Sequence, residues 1–269
     1  MRISPGLRRT TLALTVVALV VIYVPLLLVV VNSFNTDRSF SWPPSGLTLK
    51  WWQAAAHSEG ARAALLVSIE VAAVATLIAL VLGTCAALAL RRTRFFGRNA
   101  VSLLIVLPIA LPGIVTGIAL NNAFTQVLGF QLGFFTIVVA HATFCIVTVF
   151  NNVQARVQRL GTSLEQASMD LGAGPWTTFR LVTFPQLRSA LLAGGLLSLG
   201  LSFDEIVVTT FTAGAQTQTL PIWIFQNLFR PNQAPIVNVV AALLVVVSAV
   251  PIYLAQRLSG DTSTAPAAP

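Results

Sequence analysis

The chain has 269 residues, of which 56% are hydrophobic and only 9% are charged, and its mean hydropathy of +0.83 is far above that of soluble proteins. A net charge of +8 would suggest a nucleic-acid partner in a soluble protein. Here the arginines cluster beside apolar runs, which favours loops that face the cytoplasm instead. We therefore predict an all-α polytopic membrane protein, surrounded by the lipid bilayer and without a nucleic-acid partner.

Six apolar runs approach or exceed the ~20 residues that a helix needs to cross the hydrocarbon layer. In chain order they are about 11–31, 64–90, 100–120, 134–150, 189–208 and 236–254. The first ten residues contain three arginines, and the loops at 91–99 and 151–188 contain four each, whereas the loop at 121–133 has no charge. Because cytoplasmic loops carry an excess of Lys and Arg, we predict six transmembrane helices with both termini in the cytoplasm.

The N-terminal arginines and the run at 11–31 together resemble a signal peptide. The run is too long for a signal sequence, and no small-x-small cleavage site follows it, so we expect an uncleaved first span. We predict a single transmembrane domain over residues 1–258. Residues 259–269 are rich in Ser, Thr, Ala and Pro and are predicted to be disordered.

Two prolines, Pro108 and Pro112, fall inside the third apolar run. A proline within a membrane helix removes a backbone hydrogen bond and is tolerated where neighbouring groups compensate. The third span is therefore predicted to be kinked.

A polar stretch with turn residues lies between the fourth and fifth runs. Residues 163–171 predict a short helix, with Thr162 or Ser163 as its cap and Gly172 as its left-handed terminator. Pro175 suits the first turn of a second helix. We therefore predict a helix, a tight turn and a second helix, projecting on the cytoplasmic side.

This stretch could lie on the bilayer surface or dock to a protein. Surface-lying helices prefer Lys or Arg beside their apolar face. Glu165 and Asp170 occupy those positions here. The composition therefore favours docking to a protein.

The same stretch resembles the cytoplasmic loop of ABC-importer permeases, whose pattern is Glu-Ala-Ala, three residues, Gly, nine residues, Ile-x-Leu-Pro. Residues 166–168, Gln-Ala-Ser, align with Glu-Ala-Ala, and residues 182–185, Val-Thr-Phe-Pro, align with Ile-x-Leu-Pro. Gly172 and Pro185 match at the right spacing. Because Gln166 replaces the family's Glu, the resemblance predicts the shape around Gly172 rather than a particular carboxylate.

The resemblance covers nearly the whole chain and narrows to the spermidine/putrescine-type permeases. The stretches that carry it are Tyr23-x-Pro25, Ser33-Phe34-Asn35, Thr48-Leu49-Lys50-Trp51, Leu107-Pro108, the run from Leu111 to Gly117, the run from Ser202 to Val208, the run from Phe211 to Gly214, and Thr219-Leu220-Pro221. Relatives that handle other solutes carry similar Phe-Asp-acid runs. A polyamine is therefore the expected substrate, and another small solute, such as iron or a phosphonate, stays open.

The resemblance implies a type I importer permease, which is one subunit of a larger machine. Such permeases work with a second permease, expected here to be a different chain, with two copies of a cytoplasmic ATPase and with an external solute-binding protein. The sequence has no Gly-x4-Gly-Lys-Ser/Thr phosphate loop, and its only lysine is Lys50. We therefore expect a transport subunit without enzymatic activity or a bound cofactor, whose partner ATPase binds ATP and Mg. The residues expected to couple to the ATPase are Glu165, Gln166, Ala167, Asp170, Leu171, Gly172, Ala173 and Pro175.

Three acids are predicted within or near the membrane. Asp204 and Glu205 fall inside the fifth run, and Glu70 falls near the external end of the second. A carboxylate in hydrocarbon costs at least ~2.5 kcal/mol, so these acids should face a cavity, a partner chain or each other. We hypothesise that they line the translocation path with Phe203 and attract a cationic substrate. The alternatives are a pair with an arginine of the second permease or a position at a helix end near water.

His141 could relay protons, but a hydrogen bond to a neighbouring helix is the favoured interpretation, and Asn121 and Asn122 are interpreted as a helix terminus. An intramembrane enzyme is disfavoured, because His57 and His141 are the only histidines and no His-Glu-x-x-His pair occurs. A proton-coupled secondary carrier usually shows paired inverted halves, and six unrepeated runs argue against it.

Overall fold

A computed structural model describes residues 5–38, 42–92 and 96–260, with side chains described over 6–38, 42–91 and 96–247. Within these ranges, regular structure is helical apart from one β-bridge between Asn35 and Leu47. The helices are α1 (Pro5–Asn32), α2 (Lys50–Ala56), α3 (Glu59–Arg92), α4 (Arg98–Ala110), α5 (Gly113–Asn122), α6 (Phe134–Arg159), α7 (Ser163–Asp170), α8 (Pro175–Thr178), α9 (Phe184–Phe203), α10 (Val207–Thr212), α11 (Leu220–Asn227) and α12 (Ala234–Gly260), with π-helical turns at Ala123–Val127 and Phe179–Thr183. The predicted all-α class is confirmed.

Three of the described helices, α1, α3 and α6, are long and apolar enough to cross a membrane, and α4 and α5 together form a bent fourth candidate. Helices α9 and α12 overlap the remaining predicted runs at 189–208 and 236–254. The count of six spans stays a prediction. Helix α12 ends at Gly260, and the rest of the predicted tail, residues 261–269, lies outside the described residues.

The third predicted run, 100–120, is broken rather than merely kinked. Helices α4 and α5 are bent by 104° relative to each other. Leu111 lies between them with φ −82° and ψ 145°, which is extended backbone. The residue before a proline is disfavoured from helical geometry, so Pro112 explains why the break falls at this residue.

Two further helices, α6 and α9, end at residues other than the ends of the predicted runs. Helix α6 continues to Arg159 through residues that were expected to belong to a loop, because its last turns pack Val153 and Val157 into the core. The run at 189–208 was expected to be one helix, but α9 ends at Phe203, and α10 begins only at Val207.

The chain divides into two compact units, Met1–Arg62 with Trp223–Ala249, and Ala63–Ile222 with Val250–Pro269. The core of the second unit lies between α3, α6 and α9. Glycines permit this close packing, because a Cβ at Gly83 would lie 2.9 Å from the carbonyl oxygen of Ile146, and one at Gly194 would lie 3.3 Å from Cα of Val149. The buried side chains of this core are Ala79, Ala87, Leu90, Phe144, Cys145, Val149, Phe150, Val153, Val157 and Leu187.

The first unit contains α1, α2 and most of α12. Its polar centre is Asn35, whose carbonyl oxygen accepts a hydrogen bond from Trp51 Nε1 at 2.9 Å. Phe34 and Trp52 stack with ring centroids 5.1 Å apart. Residues 32–63 join the first two predicted spans, and the predicted orientation makes them an external loop. In this loop, Trp51 and Trp52 hold the end of α1 against α2.

Candidate functional site

The polar stretch between α6 and α9 has the predicted shape. We refer to residues 163–185 as the Gly172 segment. Helix α7 ends at Asp170, and Gly172 has a φ of +83°, as a left-handed terminator requires. Pro175 begins α8. The predicted side-chain cap is not formed: Thr162 is the N-cap residue, but only its carbonyl oxygen takes part, by accepting a hydrogen bond from Gln166 N at 2.9 Å.

The Gly172 segment exposes large apolar side chains. Leu171 is 89% exposed, Trp176 is 71% exposed and Leu164 is 59% exposed. Among the remaining residues expected to couple to an ATPase, Ala173 is half-buried, and the exposed ones are Gln166, Ala167, Asp170, Gly172 and Pro175. This surface mixes apolar and polar groups around the turn at Gly172.

Glu165 faces the opposite way and is only 9% exposed. Its Oε1 accepts a hydrogen bond from Thr183 Oγ1 at 2.7 Å. The same oxygen lies 3.6 Å from Nη1 of Arg91, near the end of α3. The structure therefore places Glu165 among the ends of the long helices and not on the exposed side of α7.

The second polar region is the interruption between α9 and α10, residues 204–206, which we refer to as the acidic break. Glu205 Oε1 accepts a hydrogen bond from Val208 N at 2.8 Å and so caps the first turn of α10. Thr209 Oγ1 donates to the carbonyl oxygen of Glu205 at 2.8 Å. The sequence around Glu205 therefore stabilises the start of a new helix.

His141 on α6 is buried, at 1% exposed, and contacts the helices on both sides of the acidic break. Its Nδ1 is hydrogen-bonded to Ser202 Oγ on α9 at 2.7 Å, and its Nε2 to Thr209 Oγ1 on α10 at 2.8 Å. Because the Thr209 hydroxyl donates to Glu205, Nε2 must donate to Thr209, and the neutral ring then accepts from Ser202. The expected hydrogen bond between His141 and a neighbouring helix is confirmed, and it involves both sides of the break.

Helix α5 packs against α10 on another side. Asn121 Nδ2 donates to the carbonyl oxygen of Phe211 at 2.6 Å. A Cβ at Gly117 would lie 2.7 Å from the Phe211 ring, so glycine is needed for this approach. Asn121 and Asn122 were expected at a helix terminus, but the helix continues beyond them as the π-helical turn Ala123–Val127.

The predicted membrane acids occupy different environments. Asp204 is exposed, and within the described ranges its carboxylate has no hydrogen-bond or ion-pair partner. Glu205 and Phe203 are half-buried, whereas Glu70 is exposed on α3 and is not paired with either acid in the described part of the chain. The described residues contain no group of three or more His, Cys, Asp or Glu side chains that could hold a metal ion.

Sequence reasoning missed the partners that organise both regions. Arg91 was interpreted only as a charge that sets the orientation. Thr183 and Ser202 entered only as parts of motifs that carry the resemblance, and Thr209 was not singled out. A single hydroxyl in an apolar helix gives no local signal of its partner. For Arg91, the available signal was its position at the end of an apolar run, where many arginines serve orientation alone.

Residues 75–261 match the family described as the inner membrane component of binding-protein-dependent transport systems, and the chain belongs to this family. It is therefore the membrane permease component of an ABC importer, located in the inner membrane. The family membership favours an importer permease over a secondary carrier and is consistent with a subunit that is not an enzyme.

Individual relatives narrow the comparison. The chain is 33% identical to the spermidine/putrescine transport system permease protein PotC of Haemophilus influenzae, over 88% of this chain and 91% of the relative. It is 32% identical to the putative 2-aminoethylphosphonate transport system permease protein PhnV of Salmonella typhi, over 91% of both chains. A crystal structure of a bacterial alginate ABC transporter, in complex with a periplasmic protein that holds an alginate pentasaccharide, has the same fold, with a TM-score of 0.70, 14% identity and 96% coverage of both chains.

Proposed function

We propose that this chain forms half of the translocation path of a polyamine importer and that a different permease chain forms the other half. Two copies of a cytoplasmic ATPase would bind ATP and Mg, since this sequence has no phosphate loop. An external solute-binding protein would deliver the substrate, as the periplasmic protein bound to the alginate transporter suggests. Both termini and the Gly172 segment would lie in the cytoplasm, in agreement with the distribution of arginines.

The exposed side of the Gly172 segment supports docking of the ATPase there. Leu171 and Trp176 are 89% and 71% exposed. Large apolar side chains exposed in a region that would lie outside the hydrocarbon mark a protein contact. Asp170 and Gln166 are exposed on the same short helix and would form the polar rim of that contact. Glu165 would contribute indirectly, because its carboxylate is turned away from this surface.

The observation that carries the substrate assignment is the unpaired, exposed carboxylate of Asp204 at the acidic break. A carboxylate within an otherwise apolar run is costly unless it faces water or a cation. Polyamines carry several ammonium groups and no anionic group, so a path with dispersed carboxylates favours them. Glu205 and Glu70 would add to the negative potential of the path, and Phe203 would line it beside Asp204.

Replacement of Asp204 tests this role in the assembled importer. We expect Asp204→Asn to raise the apparent KM for spermidine uptake about 10-fold, since one charge contact of roughly 1.4 kcal/mol is lost. Glu59→Gln, which removes an exposed acid at the start of α3, is the matched control and should leave uptake unchanged. Normal apparent affinity and rate in Asp204→Asn would reject the assignment for this residue.

A second candidate substrate is an aminophosphonate, because the PhnV relative is nearly as similar as PotC. The phosphonate anion would be repelled by the carboxylates that attract an ammonium group, which favours a polyamine. Calorimetry on the solute-binding protein encoded beside this chain decides between them. Binding of spermidine or putrescine supports the proposal, whereas binding of 2-aminoethylphosphonate alone would overturn the substrate and leave the importer role intact.

A further inference from the structure

Arg91, near the end of α3, contacts both the connection between α6 and α7, at Leu160 and Gly161, and the side chain of Glu165 on α7. We propose that it is a positioning residue for energy coupling, which transmits a displacement of α7 to α3 through Glu165. The proposal rests on the proposed docking of an ATPase at the Gly172 segment. It adds a route by which that docking moves α3, a helix that does not flank the segment in the chain.

The contacts form a compact charged cluster. Nη2 of Arg91 donates to the carbonyl oxygens of Leu160 at 2.9 Å and Gly161 at 3.1 Å. Nη1 lies 3.6 Å from Glu165 Oε1, and the two side chains are only 15% and 11% exposed. The planar guanidinium suits several acceptors at once, and a pair largely removed from water is screened less than a surface pair. Thr183 completes the cluster by donating to the same carboxylate oxygen.

The position of α7 depends on such contacts. Its eight residues are too few for a stable isolated helix. Its chain connections differ from each other: Leu160, on the α6 side, is extended, with φ −84° and ψ 120°, whereas on the other side a π-helical turn at Phe179–Thr183 leads into α9. Arg91 holds both the connection to α6 and the side chain of α7. A displacement of α7 therefore pulls on the end of α3 as well as on the neighbouring helices in the chain.

Helix α3 is suited to carry this displacement further. It is unbroken over 34 residues. Glu70 precedes Arg91 by 21 positions on this helix, which corresponds to about 32 Å along the axis. The cluster thus connects the proposed ATPase contact to a helix that carries one of the acids proposed for the path.

The test measures the number of substrate molecules transported per ATP hydrolysed by the purified importer in liposomes. We expect Arg91→Gln to lower this ratio about 10-fold, within the range of typical coupling energies, while the ATPase still co-purifies at normal stoichiometry. Glu165→Gln should lower it by a similar factor. Because both residues act through one contact, the double variant should again lower the transport-to-ATP ratio about 10-fold, not about 100-fold. Arg91→Lys keeps the charge but loses the planar set of donors of the guanidinium, so it should give an intermediate ratio.

Arg159→Gln is the control, since Arg159 is an exposed arginine at the end of α6, and its ratio should stay normal. If Arg91→Gln does not accumulate in the membrane, Thr183→Val keeps the shape and removes only the hydroxyl, and it should lower the ratio about 3-fold. Multiplicative losses in the double variant, or equal losses of ATPase activity and transport, would overturn the proposal. Failure of the unaltered chain to bind any ATPase would instead contradict the proposed docking.

Discussion

The Gly172 segment and the acidic break both interrupt apolar sequence with a pair of acids. In each pair, the two acids occupy different environments, which the sequence did not suggest. Each region contains two acids. In each, one acid has internal partners: Glu165 contacts Thr183 and Arg91, and Glu205 caps α10 through Val208 N. The other acid is exposed, Asp170 in the first region and Asp204 in the second. Proximity in sequence therefore does not identify the acid that is available to a partner or a substrate.

The largest effect should come from the exposed side of the Gly172 segment. We expect Leu171→Asp to abolish co-purification of the ATPase and to lower transport about 100-fold or more, because a charge enters the centre of an apolar contact. Leu49→Asp is the control, since Leu49 is 63% exposed in the predicted external loop. Unchanged co-purification in Leu171→Asp would place the ATPase contact elsewhere.

The acidic break should lose stability when its bridging histidine is removed. We expect His141→Ala to lower the free energy of unfolding by about 2 kcal/mol, since two buried hydroxyls lose their partner and a cavity forms. Denaturation of the detergent-solubilised chain by SDS measures this change. His57→Ala, at an exposed histidine, should change stability by less than about 0.5 kcal/mol. Equal stability of the two variants would show that the bridge does not hold the break.

Replacing the two acids of the break should have different effects on stability and on the apparent KM for spermidine. We expect Glu205→Ala to lower the free energy of unfolding by about 1 kcal/mol, because the cap on α10 is lost. Glu205→Gln retains an oxygen that accepts from Val208 N and should preserve stability. Its apparent KM for spermidine should rise less than that of Asp204→Asn. A larger rise for Glu205→Gln would reverse the assignment of the two acids.

The smallest effect concerns the turn of the Gly172 segment. Gly172 and Gly174 both have open space where a Cβ would be, but only Gly172 has a positive φ, +83°. We expect Gly172→Ala to lower stability by about 1 kcal/mol from backbone strain, and Gly174→Ala to be neutral or slightly stabilising. Thermal unfolding of the two variants measures the difference. Identical melting temperatures would mean that the turn relaxes without strain.

Much of the architecture was predictable because it depends on local chemistry. Long apolar runs become helices wherever the backbone must satisfy its own hydrogen bonds. Gly172 and Pro175 set the turn and the helix start through their own backbone preferences. Pro112 predicted a distortion, although the 104° break exceeded the expected kink. The orientation of Glu165 was not predictable, since an eight-residue helix with acids on several sides does not specify which side packs.

The sequence by itself determined that this chain is a helical membrane protein, and its spaced Gly and Pro residues indicated an importer permease. The helical membrane class follows from composition and backbone preferences, which act over a few residues, whereas the importer permease was indicated by the resemblance of the spaced Gly and Pro to the loop of a known family. Only the tertiary structure decided that Glu165 meets Arg91 across 74 positions and that His141 reaches both Ser202 and Thr209. Such pairings depend on which helix faces pack together, and packing is set by shape across the whole core rather than by any local pattern.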